Sequence, residues 1–146
     1  MGQNDPVVTG APSRHLSLRL RTELVERLSK RARASGEESR SRLAARLIDE
    51  GLRMDAHPGI VFRSGPGGRR AGLAGGPDVW EVARVLREIE PAGEEAITKI
   101  SKLTELAIPQ TRAVANYYFE FADEVDAWIA EVDREAGEAY PHRTRR

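Results

Sequence analysis

The sequence of 146 residues contains no cysteine, which excludes disulfide bonds and thiolate metal sites and is compatible with a reducing compartment. Aromatic residues make up only 5% of the chain, and the formal net charge is zero. No apolar run approaches the roughly 20 residues that cross a bilayer, and no secretory hydrophobic segment follows Met1. We therefore expect a cytoplasmic protein that does not enter a membrane.

The charges are divided unevenly along the chain. Residues 1–54 hold 11 Lys and Arg against 7 Asp and Glu, whereas the remaining residues hold 12 against 16. The first part therefore carries a net charge of +4 and the second a net charge of −4. A positive excess confined to one part of a chain suits contact with a polyanion such as a nucleic acid.

The basic part begins with strict alternation and continues with helical periodicity. From His15 to Leu20 every second residue is leucine, the period of a half-buried strand. One amphipathic helix then runs to Gly36, and a second begins near Ser39. A lone strand leaves its backbone unpaired, and about forty residues are too few for a core, so we predict a twofold dimer with an antiparallel two-stranded ribbon. The predicted dimer core comprises Leu16, Leu18, Leu20, Leu43 and Leu47.

This order of strand, helix, glycine turn and helix resembles the ribbon-helix-helix family of DNA-binding proteins, the CopG, Arc and MetJ type. In that family the ribbon enters the major groove, so the resemblance implies that His15, Ser17 and Arg19 read the bases of an operator in double-stranded DNA. The arginine is suited to the two acceptors of guanine. The resemblance also implies a phosphate contact where the second helix begins, at Ser39, Arg40, Ser41 and Arg42. Association of dimers into tetramers on DNA is left open.

The predicted organisation is mainly α and has five parts. These are an arm at 1–13, the ribbon-helix-helix domain at 14–54, a linker at 55–59, a helical domain at 60–136 and a loose basic tail at 137–146. In the helical domain, 60–63 and 69–73 flank a glycine-rich turn as a short β-hairpin. The turn lacks the Lys-Ser/Thr of a nucleotide-binding loop. Apolar stripes predict helices from Val79, from Glu94 to Leu106 and from Gln110 onward, the last kinked near Ala122.

The second half resembles the small helical domain of antitoxins that accompany PIN-like toxins in bacterial operons. The resemblance spans Pro58 to Ile129 and includes the hairpin, a Val-Trp-Glu-Val helix and the alanine and tyrosine run before Glu124. Gly-Gly-Pro replaces the turn that is commoner in that family. The resemblance implies a helix-turn-helix-like pair at Glu94–Leu103 and Pro109–Tyr118, and a PIN-like toxin as partner. We predict mainly core roles for the aromatic residues, but Tyr117 and Tyr118 cannot both point inward, so a partner surface is assigned to Trp80, Tyr118 and Trp128.

Three hypotheses of function follow. The first is a dimeric transcriptional regulator of the antitoxin type, which represses its own operon and neutralises a PIN-like nuclease. The alternative is a stand-alone ribbon-helix-helix transcription factor whose C-terminal domain senses a ligand or oligomerises. The least favoured is a metal-dependent nuclease built on Glu120, Asp123, Glu124 and Asp126. Because helical spacing spreads these carboxylates over more than one face, we predict a solvated acidic surface, with no catalytic residue, metal or cofactor.

Overall fold

A computed structural model of the chain describes residues 12–36, 38–90 and 92–139. Within them it contains six helices and one two-stranded antiparallel sheet, which confirms the mainly helical class. The elements are α1 Thr22–Ser35, α2 Arg40–Ala56, β1 Ile60–Gly65, β2 Gly68–Leu73, α3 Val79–Glu88, α4 Glu94–Thr104, α5 Ile108–Glu120 and α6 Ala122–Ala139. Most of the predicted arm and most of the predicted tail lie outside the described residues. Among the described helices, none is both long enough and apolar enough to span a membrane.

The ends of α1 and α2 follow from local chemistry. Gly36 adopts a left-handed φ of 64°, which favours glycine, and its N–H closes the last turn of α1 on the carbonyl of Ala32. Ser39 caps α2 as predicted, since its Oγ accepts a hydrogen bond from the Arg42 N–H at 3.2 Å. The two helices are therefore separated by a short turn, as the sequence indicated.

The chain divides into two compact units inside α2, an N-terminal unit ending at Ala44 and a C-terminal unit beginning at Ala45. Helix α2 also continues to Ala56, two residues into the predicted linker. This part of the helix is bonded within the C-terminal unit, where Arg53 donates to Tyr117 and Glu124. The later turns of α2 thereby belong to the C-terminal fold.

Residues 15–20 form no strand within the described part of the single chain. Their leucines are exposed, at 73% for Leu16, 58% for Leu18 and 42% for Leu20. A strand needs a neighbour to complete its hydrogen bonds, so a lone copy has nothing with which to form the ribbon. Pairing with a second copy stays a prediction.

The hairpin is confirmed, with strands slightly longer than predicted. Its antiparallel register runs from the pair Ile60 and Leu73 to the pair Gly65 and Gly68. Alternation turns Ile60, Leu73 and Ala71 into the core, where they are buried. The opposite face carries Arg63 and Arg70, which the register places directly across from each other.

The core of the C-terminal unit lies between the hairpin and helices α3 to α6. Its fully buried members include Val79 and Val82 of α3, Ile100 of α4, Val114 and Tyr117 of α5 and Val125 of α6. The long stripe predicted from Gln110 is broken near the predicted kink, because the backbone leaves helical geometry at Phe121. Helices α4 and α5 occur where a helix-turn-helix-like pair was predicted, and that arrangement stays a prediction.

Candidate nucleic-acid interface

The predicted base-reading residues lie on an exposed segment. The ring Nε2 of His15 and the Oγ of Ser17 are joined by a hydrogen bond of 3.0 Å. Because these residues are two apart, the bond places both side chains on one side of the segment, as alternation predicted. Arg19 follows two residues later and is also exposed. The structure therefore leaves all three polar side chains accessible.

Positive charge is presented to solvent throughout the N-terminal unit. Every Lys and Arg between residues 12 and 44 is exposed: Arg14, Arg19, Arg21, Arg27, Lys30, Arg31, Arg33, Arg40 and Arg42. Among the described residues of the same stretch, three are acidic: Glu23, Glu26 and Glu38. Exposed cations in this excess give the N-terminal unit a positively charged surface.

The predicted phosphate contact lies where α2 begins. With Ser39 as cap, the N–H groups of Arg40 and Ser41 precede the first intrahelical hydrogen bond and can bind an anion. The guanidinium of Arg40 donates to the Oγ of Ser29 at 3.3 Å, which turns this side chain toward α1. Arg42 and Ser41 are exposed. A depression of about 380 Å³ beside them is lined by Ser29, Ala32, Arg33, Gly36, Glu38, Ser39 and Arg40.

The residues of the predicted dimer core are mostly uncovered in the single chain. Leu43 is the exception at 1% exposure, while Leu47 is 46% exposed. Further apolar side chains of α1 and α2 are exposed that were not included in the prediction: Leu24, Ile48, Leu52 and Met54. The exposed apolar side chains of α2 from Leu47 to Met54, all in the C-terminal unit, are of the kind that marks an interaction surface.

The predicted partner residues are only partly exposed. Trp80, Tyr118 and Trp128 all pack against the C-terminal core. Tyr117 is fully buried while Tyr118 is not, which agrees with the expectation that the two cannot both point inward. The hydroxyl of Tyr118 donates to Asp126 at 2.7 Å, and burial together with that carboxylate raises the pKa of Tyr118. Phe119, which the sequence analysis did not single out, is 91% exposed.

Sequence analysis missed a polar network in the C-terminal unit that is centred on Arg53. Its guanidinium donates to the Tyr117 hydroxyl at 2.9 Å and to the Glu124 carboxylate at 2.5 Å. It also lies over the ring of Phe121, 4.1 Å from the centroid. Nearby, His57 and Glu120 are joined by a hydrogen bond of 2.7 Å. These partners are more than 60 residues apart in sequence, and no local pattern reveals such pairs.

The network shifts the protonation equilibria of its members. Burial raises the pKa of Tyr117 to about 12, although the hydrogen bond from Arg53 acts in the opposite direction. Outside this network, burial disfavours the charged form of Glu50, which is 4% exposed, but hydrogen bonds from Arg69 and Arg46 outweigh it and hold the pKa of Glu50 below its usual value. Tyr117 and Glu50 are therefore both buried groups with arginine partners.

Three of the four carboxylates of the nuclease hypothesis bond to other side chains. Glu120 bonds to His57, Glu124 to Arg53, and Asp126 to the Tyr118 hydroxyl. Across the described ranges of the chain, no group of three or more His, Cys, Asp or Glu side chains is arranged to hold a metal ion. The nuclease hypothesis thus gains no metal-binding constellation from these residues.

Comparison of the chain with protein families, with curated proteins and with solved structures gives no match.

Proposed function

We propose that the protein is a dimeric, sequence-specific DNA-binding regulator in which residues 15–20 of two copies pair as an antiparallel ribbon. The observation that carries this proposal is the exposure of Leu16, Leu18 and Leu20, at 73%, 58% and 42%, on a segment unpaired within the described chain. Burying a leucine side chain contributes about 1.5–3 kcal/mol. Two copies bring six of these leucines together. Because each is only partly exposed beforehand, their burial contributes about 5–10 kcal/mol to dimerisation, before the cost of association is subtracted.

The opposite side of the same segment supplies the base contacts. In an extended strand the residues between the leucines face away from them, so pairing presents His15, Ser17 and Arg19 twice, related by the twofold axis. An arginine fork matches the N7 and O6 acceptors of guanine in the major groove. The exposed basic residues of the N-terminal unit add contacts with phosphate, and the start of α2 provides a further one.

We further propose that this regulator is an antitoxin that neutralises a PIN-like nuclease through its C-terminal unit. Support comes from helix α6, whose single basic residue is Arg134. Its acidic residues are Asp123, Glu124, Asp126, Glu131, Asp133, Glu135 and Glu138. Arginines of the chain pair with five of these carboxylates, so the support lies in the net negative charge of the helix, which is complementary to the basic surface of a protein that binds nucleic acid.

DNA binding is tested by selecting duplexes from a random pool and measuring affinity by fluorescence anisotropy. Arg19→Ala should weaken binding to the selected site by about 1–3 kcal/mol and relax preference at one base pair per half-site. Arg134→Ala, which removes an exposed arginine from α6, is the matched control and should leave the preference unchanged. If Arg19→Ala and wild type bind the selected duplex with equal affinity, and unrelated duplexes likewise, base reading by the ribbon is contradicted.

Dimerisation is tested separately by sedimentation equilibrium. Leu18→Asp places a charge in the predicted shared core and should yield monomers, while Ser17→Asp, one residue away on the outer face, should remain dimeric. A Leu18→Asp variant that stays a folded dimer would refute the ribbon architecture.

The antitoxin proposal requires co-purification with a PIN-like protein encoded in the neighbouring reading frame, and persistent failure of such a pair to associate would leave only the regulator.

A further inference from the structure

Helix α2 presents two different sides along the turns that belong to the C-terminal unit. On one side Arg46 donates to Glu50 at 3.1 Å, and Arg69 of the hairpin donates to the same carboxylate at 2.9 Å. One turn later Arg53 donates to the Tyr117 hydroxyl at 2.9 Å. Because residues three and four apart share a helix face, these bonds fix which side of α2 is turned toward the C-terminal core.

The side turned away from these bonds is apolar and uncovered in the single chain. Leu47 and Ile48 are about half exposed, and Leu52, four residues after Ile48, is 66% exposed. The charged residues of the same turns pair with one another elsewhere on the helix: Arg46 with Glu50 and Arg53 with Asp49. The surface formed by Leu47, Ile48 and Leu52 is therefore both apolar and uncharged.

Gly51 lies at the centre of this apolar surface. It follows Leu47 by four residues and Ile48 by three, so the three share one face of the helix. Its backbone is helical, and a β-carbon built on it would meet no atom of the described chain within 4 Å. Neither a left-handed turn nor a close neighbour in the single chain therefore requires glycine. Because glycine inside a helix is less stable than alanine, its presence here has another reason.

A second helix that crosses α2 at Gly51 supplies that reason. Where a residue has no side chain, two helix backbones approach closely, and the side chains around the notch pack against the other helix. A partner that placed charges here would leave them buried without a counter-charge. A second copy of the same surface brings none, and a twofold axis opposes no like charges across it. The occupant that fits this surface is therefore the same helix of a second chain.

We propose that α2 of one copy crosses α2 of a second copy at Gly51, so that the C-terminal units form part of the contact between the copies. The choice of a second copy rests on the dimer of the proposed function, but the residues of the crossing are separate from residues 15–20. Leu43, which the sequence analysis assigned to the dimer core, is buried within its own chain. The contact on α2 thus lies toward its C-terminal half.

Sedimentation equilibrium of the full chain tests the crossing through Gly51→Leu. A leucine fills the space in which the second helix lies and should weaken dimerisation by about tenfold to a hundredfold. Gly137→Leu is the matched control, because Gly137 also lies within a helix, α6, and also has open space around it. The control should leave the dimer dissociation constant unchanged.

Urea denaturation at concentrations where the chain is monomeric measures the fold of the variant separately. The midpoint of Gly51→Leu should equal or exceed that of wild type, because leucine favours a helix more than glycine does. A lower midpoint would show that the single chain itself requires this glycine and would overturn the inference. The chain has no cysteine, so Gly51→Cys adds a proximity test. Mild oxidation should link two copies through it, but not through Gly137→Cys, because a disulfide requires Cα atoms within about 7 Å.

The outcomes separate the crossing from the ribbon. An unchanged dissociation constant for Gly51→Leu overturns the crossing, whatever the result of cross-linking, and leaves the ribbon to the Leu18→Asp test. If Leu18→Asp remains dimeric while Gly51→Leu dissociates, the crossing stands and the ribbon fails. A wild-type chain that is monomeric overturns both.

Discussion

Replacing Arg53 with methionine should destabilise the C-terminal unit by about 2–3 kcal/mol. The variant keeps an unbranched side chain near the rings but removes the guanidinium. Lost with it are a hydrogen bond from a charged donor to the buried Tyr117 hydroxyl, at 2.9 Å, and a cation–π contact with Phe121 at 4.1 Å. Such interactions contribute about 1.5 kcal/mol or more and about 0.5–1 kcal/mol respectively.

The ion pair between Arg53 and Glu124 adds less to the free energy of unfolding than its distance of 2.5 Å suggests. The Glu124 side chain is 39% exposed, so solvent screens the interaction and its share is below about 1 kcal/mol. The methionine side chain recovers part of the lost packing on the ring of Phe121, which lowers the sum of these contributions. The expected total therefore depends mainly on the buried hydroxyl and the ring.

Urea denaturation followed by tryptophan fluorescence measures this effect. The chain has two tryptophans, Trp80 and Trp128, and both pack against the C-terminal core, so the signal reports on that unit. Arg112→Met is the matched control, because Arg112 and its partner Glu94 are both exposed, and its midpoint should equal that of wild type. An Arg53→Met variant with the wild-type midpoint would show that the network contributes no stability.

Three further predictions concern pH, packing and DNA. The pKa of Tyr117 is about 12 in the folded protein against 10.0 normally, so the stability linked to its neutral hydroxyl is complete below pH 10 and is lost as pH rises toward 12. In this range the loss amounts to up to about 1.4 kcal/mol per pH unit. Tyr117→Phe should remove this contribution to alkaline destabilisation, as measured by urea titrations at increasing pH. Gly72→Ala should lower the free energy of unfolding by about 0.5–1 kcal/mol, because its β-carbon would displace the Arg63 guanidinium from its bonds to Leu73 and Asp78, which are partly exposed, and an unchanged urea midpoint would contradict this. Arg40→Gln should weaken binding to all duplexes alike and reduce the salt slope by about 0.9 per chain, so a parallel slope would place the start of α2 away from phosphate.

Several elements were predictable from local sequence because their causes are local. Gly36 ends α1 through a backbone conformation that glycine adopts easily, and Ser39 begins α2 through a bond three residues ahead. The hairpin followed from two β-prone runs around a glycine-rich turn. In each case the deciding interaction joins residues close in the chain, so a one-dimensional pattern contains it.

The sequence by itself also determined the alternation of Leu16, Leu18 and Leu20 with polar residues, on which the proposed function depends. Only the tertiary structure decided that α2 spans the boundary between two units and that Arg53 and His57 bind partners on α5 and α6. The physical reason is distance along the chain: a local pattern fixes which face of an element is apolar, whereas the pairing of charges more than 60 residues apart depends on how the elements pack.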